Sequence, residues 1–140
     1  MITVGFEIPR WEVPRVSAEK MKTMAALLDD SNPIHFDVDA VRALGLGDRV
    51  INQGPSNAAY LMNMLTAWTG DSSRLRSFKI RFLGNVPADS HAVATGTVTA
   101  VRDVEGHRLA ECTLVLTIDH DVPAVSGTAV VDISDLEGDS

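Results

Sequence analysis

The sequence predicts an α+β fold, an antiparallel β-sheet curled around one long apolar helix. Three observations predict it. The hydrophobic spacing changes near Gly70 from helical to strand-like. The stretch GPSNAAYLMNMLTAWTG, Gly54 to Gly70, carries no charged residue. At 140 residues and 45% hydrophobic, the chain suits one core, read as a single domain over 1–140.

The elements follow in order. VGFEIPRWEVPRV holds two prolines and reads as an edge strand or extended lead-in. Ser17 is a candidate N-cap for a helix from Ala18 to about Asp29, with Met21, Met24, Ala25 and Leu28 on one face. Asn32 precedes Pro33 and is pushed toward extended geometry, which stops that helix. Asp37 can cap a short second helix ending at Gly45. In the third helix Pro55 suits the first turn and Gly70 the end, while only Asn57, Asn63 and Thr66 are conspicuously polar. Such a helix is expected to be enclosed on most sides. Four strand-like stretches follow: RLRSFKIRFLG, HAVATGTVTAVR, RLAECTLVLTID and AVSGTAVVDIS. In the third, Ala110, Cys112, Leu114, Leu116 and Ile118 alternate with Glu111, Thr113 and Thr117, so Cys112 is expected in the core. An apolar helix wrapped by a curled antiparallel sheet is the hotdog architecture.

Composition excludes several function classes. The net charge is −7 and the basic residues are scattered, which argues against nucleic acid as a partner. One cysteine excludes an internal disulfide framework and a multi-cysteine zinc site, as in a reducing compartment. No stretch has the roughly 18 apolar residues of a spanning helix, and the N-terminus lacks a charged start followed by an apolar run. The expected location is the cytoplasm, without membrane association.

The chemistry is expected at LLDDSNPIHFD, Leu27 to Asp37. Carboxylates in a helix's last turn face the negative end of its dipole, at a cost of about 0.3–1 kcal/mol each, and Asp29 and Asp30 are expected there. That placement works against ionisation and suits a proton acceptor. The Asn-Pro break then folds the chain back so that His35 approaches Asp30. The free N–H of Gly54, at the start of a buried helix, is a candidate donor to a developing oxyanion.

The pattern Asp30, Asn32, Pro33, Ile34, His35 resembles the hydratase motif of MaoC-like (R)-specific enoyl thioester hydratases. The resemblance continues through LGLGDRVINQGPSNAAYL, and through TAWTGDSSRLRSFKIRFLGNVPADS, which is similar to single-hotdog hydroxyacyl-carrier-protein dehydratase subunits. One residue departs from it: Gln53 stands where the family usually has His before the helix glycine. The resemblance implies a hydro-lyase adding water to a trans-2-enoyl thioester of coenzyme A or acyl carrier protein, giving a (3R)-hydroxyacyl thioester, or the reverse dehydration. It implies Asp30 and His35 as the catalytic pair, Asn32 as an orienting residue, and Gln53, Gly54 and Ser56 at the substrate or oxyanion position. No metal and no organic cofactor is implied. A dimer of identical or different hotdog subunits is expected, because a single sheet leaves an exposed edge.

Other readings stand beside these. Ser56 suits helix capping as well as substrate contact. Arg74, Arg76, Lys79 and Arg81 suit coenzyme A phosphates, an acidic carrier protein, or plain solvent. The Asp119–Asp121 stretch reads as a surface turn rather than a metal site, and His91 and His107 carry no role. A hotdog thioesterase commonly has an acid on the central helix, where this chain has none. A non-catalytic subunit of a heteromeric hydratase would have lost the Asp/His pair, which this chain keeps.

Overall fold

A computed structural model describes residues 1–136; residues 137–140 of the expected unit lie outside that description. The elements are β1 (Glu7–Val13), α1 (Ala18–Leu27), a 3-10 turn (Pro33–His35), α2 (Val38–Ala43), α3 (Gly54–Thr69), a second 3-10 turn (Ser72–Arg74), β2 (Leu75–Phe82), β3 (Ala92–Val104), β4 (His107–Ile118) and β5 (Val122–Asp132). The strands form one antiparallel sheet in the order β1-β3-β4-β5-β2. This is the hotdog arrangement, and each boundary has a local cause.

Pro9 has no N–H to donate, and it falls where β1 slips register against β3 between Ile8 and Trp11. β1 is therefore an edge strand, as its prolines predict. Between β3 and β4 the turn residues Glu105 and Gly106 both have positive φ, 50° and 82°, as a tight two-residue hairpin demands. Ser17 caps α1 by accepting the Lys20 N–H, and Asp37 caps α2 by accepting that of Asp39. Gly70 ends α3 in the left-handed region at φ 74°.

On β3 the helix seat is made of small residues. Ala92, Ala94, Gly96 and Val98 are the inward positions of β3, and Ala110, Cys112, Leu114 and Leu116 those of β4. A Cβ on Gly96 would lie 3.2 Å from Met64 Cε of α3 and 3.0 Å from Ile8 Cδ1 and Leu114 Cδ2, so the missing side chain sets how closely the helix lies. Phe6 stacks on Trp68 at 5.7 Å and holds the far end of α3.

α3 is less enclosed than its composition suggests. Asn57, Leu61, Met64 and Leu65 are buried, but Met62, Asn63, Thr66 and Ala67 are exposed. A single five-stranded sheet covers one side of a helix, and the outer side of this one is uncharged rather than hidden.

Charge is concentrated where the C-terminal strand ends. Asp132, 5% exposed, is the one buried acid among the described residues. Its carboxylate accepts from Arg76 Nη2 at 2.8 Å, from His107 Nδ1 at 2.9 Å and from the Ser134 N–H at 2.9 Å. Arg74 donates to the carbonyls of Asp132 and Ser134. Thus two cations of the expected basic patch, and His107, serve the fold; Lys79 and Arg81 have no such partner among the described residues. Hydrogen bonds from Ser134, and then those from His107 and Arg76, hold the Asp132 carboxyl well below the usual carboxylate range.

Two predictions follow from these burials. Burial pushes the Cys112 thiol up to about 11, so a thiol reagent at neutral pH should leave the native protein unlabelled and react on denaturation. A carboxylate with a lowered native pKa stabilises the fold above its unfolded value of 3.8, and that contribution is lost as the pH falls through the native value. Asp132→Asn should therefore destabilise by about 2–3 kcal/mol near neutrality. Melting curves should show the gap between variant and parent shrinking below about pH 4.

Candidate active site

The corner after α1 begins with a change of backbone hand. Leu28 caps the helix, Asp29 takes φ 50°, and the N–H groups of Asp29 and Asp30 bond back to the carbonyls of Ala26 and Ala25 at 3.3 and 2.9 Å. These are the paired bonds of a Schellman cap with aspartate where glycine is usual, a strain of about 1 kcal/mol. The helix thus ends before Asp29, and both carboxylates follow it instead of occupying its last turn. The local contacts of Asp30, rather than a place inside the helix dipole, define its environment.

Those contacts are specific. Asp30 Oδ1 accepts the Asn32 N–H at 3.0 Å, and Asn32 Oδ1 in turn accepts the Ile34 N–H at 3.3 Å. The two nested turns, with Pro33 at the start of the 3-10 turn, reverse the chain within five residues. His35 is carried inward to 7% exposure, and its Nε2 lies 3.3 Å from Asp30 Oδ2.

The other ring nitrogen decides the tautomer. His35 Nδ1 lies 2.6 Å from the carbonyl oxygen of Ile51. A carbonyl only accepts, so the hydrogen is assigned to Nδ1. Nε2 is then bare in the neutral ring and carries a proton only in the imidazolium. With the hydrogen on Nδ1, Nε2 and the Asp30 carboxylate present two acceptors to one small space, an arrangement that suits a shared donor such as water.

The remaining expected residues occupy different places. Asn32 is exposed and shapes the turn. Gly54 opens α3, and its N–H bonds to nothing among the described residues. A Cβ there would lie 3.1 Å from Phe82 Cζ, so the ring of β2 closes over the glycine. Gln53, 1% exposed, sends Nε2 to the Met21 carbonyl at 2.8 Å, while its Oε1 is buried without a partner. Ser56 is half-buried in the first turn, and its N–H bonds to the Gln53 carbonyl at 3.1 Å.

Sequence reasoning missed three residues. Ile51 acts through its backbone, which leaves no signature in residue type. Asn52 is 6% exposed, and its Nδ2 donates to Asn57 Oδ1 at 2.8 Å and to Tyr60 Oη at 3.2 Å. Burial raises the Tyr60 pKa against the opposing effect of the Asn52 bond, so the phenol stays neutral. The polar positions of an otherwise apolar α3 were the available signal.

Comparison with known proteins gives the family. The family model for a MaoC like domain matches residues 9–118, from β1 through β4. The chain belongs to the MaoC-like dehydratase family. Among solved structures, this MaoC-like chain is similar to the (R)-hydratase from A. caviae involved in PHA biosynthesis, at 26% identity and a TM-score of 0.80, covering 93% of this chain and 96% of that one. It is also similar to a chain of the ChsH1-ChsH2 complex from Mycobacterium tuberculosis, at 21% identity and a TM-score of 0.79 over 94% and 98% of the two chains. A chain of the HadBC (3R-hydroxyacyl-ACP dehydratase) complex from the same organism shares the fold at 15% identity and a TM-score of 0.68, over 94% and 98%. No curated protein sequence matches.

Gln53 gives this MaoC-like site its own test. Gln53→Glu would set a buried carboxylate against the Met21 carbonyl and should destabilise by about 3 kcal/mol or more. Gln53→Met, of similar shape, removes the orphaned oxygen along with one hydrogen bond and should cost about 1–2 kcal/mol. Thermal melts of the two variants check the order.

Proposed function

We propose that this MaoC-like chain hydrates trans-2-enoyl thioesters to (3R)-hydroxyacyl thioesters, and catalyses the reverse dehydration, with Asp30 and His35 as the proton-transfer pair. The observation that carries the reading is the approach of His35 Nε2 to Asp30 Oδ2 at 3.3 Å while Nδ1 is tied to the Ile51 carbonyl. Family membership and the 26%-identical (R)-hydratase support it.

In this reading a water held between the two acceptors loses a proton to the pair as its oxygen bonds to C3. The pair returns one proton to C2, so the elements of water are added and the protein is unchanged. Negative charge gathers on the thioester oxygen as C3 is attacked, and the free N–H of Gly54, at the positive end of α3, receives it. Asn32 keeps Asp30 oriented through its N–H. Gln53 acts by holding α1 to the start of α3, and Ser56 lines the first turn beside the thioester.

The substrate is a thioester of coenzyme A or acyl carrier protein, and the chain works in the cytoplasm as a pair of hotdog subunits, identical or different. β1 and β2 are open edges, and α3 has an uncharged outer side. Light scattering of the purified chain at micromolar concentration should give at least a dimer mass; a strictly monomeric mass counts against the pairing of identical subunits.

Asp30→Asn tests the chemistry. Asparagine keeps an oxygen for the Asn32 N–H and loses the proton acceptor. Hydration of crotonyl-coenzyme A, followed as loss of the conjugated thioester's absorbance, should fall by about 10²–10⁴. Stability should change by less than about 1 kcal/mol. A variant that melts like the parent and keeps more than about a tenth of its rate would remove Asp30 from the reaction.

A further inference from the structure

Ile51, Asn52 and Gln53 are consecutive, all less than a tenth exposed, and each sends a polar group to a different element. The Ile51 carbonyl goes to His35 Nδ1 at 2.6 Å. The Asn52 N–H goes to the Val86 carbonyl at 2.8 Å, beyond β2. The Gln53 side chain goes to Met21 on α1 at 2.8 Å. The Ile51 carbonyl and the Asn52 N–H belong to one planar peptide unit and point in opposite directions from it. The same rigid group therefore holds the histidine on one side and Val86 on the other, and its rotation would loosen both.

The Cα at position 52 is the far hinge of that peptide unit, and its side chain is tethered. Asn52 Nδ2 has two hydrogens and meets two acceptors on adjacent turns of α3, Asn57 Oδ1 at 2.8 Å and Tyr60 Oη at 3.2 Å. Asn57 is 3% exposed and Tyr60 half-buried, so water competes poorly for these bonds. An apolar side chain at 52 would leave the buried Asn57 Oδ1 without its donor and release Tyr60 Oη to solvent.

We propose that Asn52 is a positioning residue for His35: by bonding Asn57 and Tyr60 it locks the peptide unit whose carbonyl holds His35 Nδ1. The role rests on the hydratase reading of His35, but its first readout needs no substrate. Long-range ¹H–¹⁵N NMR of the full chain reports which imidazole nitrogen carries the proton. The parent should show a single Nδ1–H tautomer in the neutral ring. Asn52→Ala should show averaging between tautomers. Its kcat should drop about 10–100-fold, the scale of a misplacement near 1 Å, with KM changed less than about threefold.

Tyr60→Phe deletes one acceptor from a half-buried ring and should give a smaller change of the same kind. It also decides the matter if Asn52→Ala does not fold. Variants that retain the parent's His35 tautomer and kcat would overturn the proposal. Loss of activity with an unchanged tautomer would overturn it as well. Failure of the hydratase reading is a separate result, since an active Asp30→Asn variant leaves the tautomer measurement standing.

Discussion

The hydrogen bond from His35 Nδ1 to the Ile51 carbonyl is the constraint on which the corner depends. It fixes which nitrogen faces Asp30, and its strength lies in what stands behind the carbonyl. Ile51 bridges Pro87, its N–H bonds to the Ile34 carbonyl at 2.9 Å, and the Ala88 N–H bonds to Val50 at 2.8 Å. The imidazole therefore leans on a short ladder with the segment between β2 and β3, not on a free loop. Side chains alone could not give the same definition, because each would add rotamers of its own.

The legible parts of the molecule were those whose cause is local. The alternation in β4, the caps at Ser17 and Asp37, the glycine ending α3 and the edge character of β1 all follow from neighbours within a few residues. So does the turn between Asp30 and His35, because Pro33 and two nested side-chain bonds act within it. The end of α1 was misplaced because aspartate, not glycine, adopts the left-handed cap at position 29. What stayed hidden connects distant positions. Arg76 reaches Asp132 across 56 residues and Gln53 reaches Met21 across 32, and nothing in residue type announces such pairs.

The buried polar groups divide into two sets with different tasks. Around Asp132, charge is neutralised by cations and donors from β2, β4 and the segment after β5, and the set fastens the sheet. Around Asn52 the groups are neutral amides and a phenol, and the set fastens a peptide bond. Neutral groups suit the second place, because they satisfy one another there without a buried charge to desolvate.

The strand order carries a consequence for synthesis. β2 pairs only with β5, from Leu75 opposite Val131 to Phe82 opposite Val125. A ribosome delivers Asp30, His35 and α3 early and β5 last. Until the final strand emerges, β2 has no neighbour in the sheet, Phe82 has no fixed seat over Gly54, and the inner face of α3 lacks part of its floor. The nascent chain thus holds Asp30 and His35 without the surrounding sheet from their synthesis until β5 emerges, and carries an apolar helix exposed for the same interval. Completion of the β4–β5 hairpin is the event that closes the sheet beneath the helix and the corner.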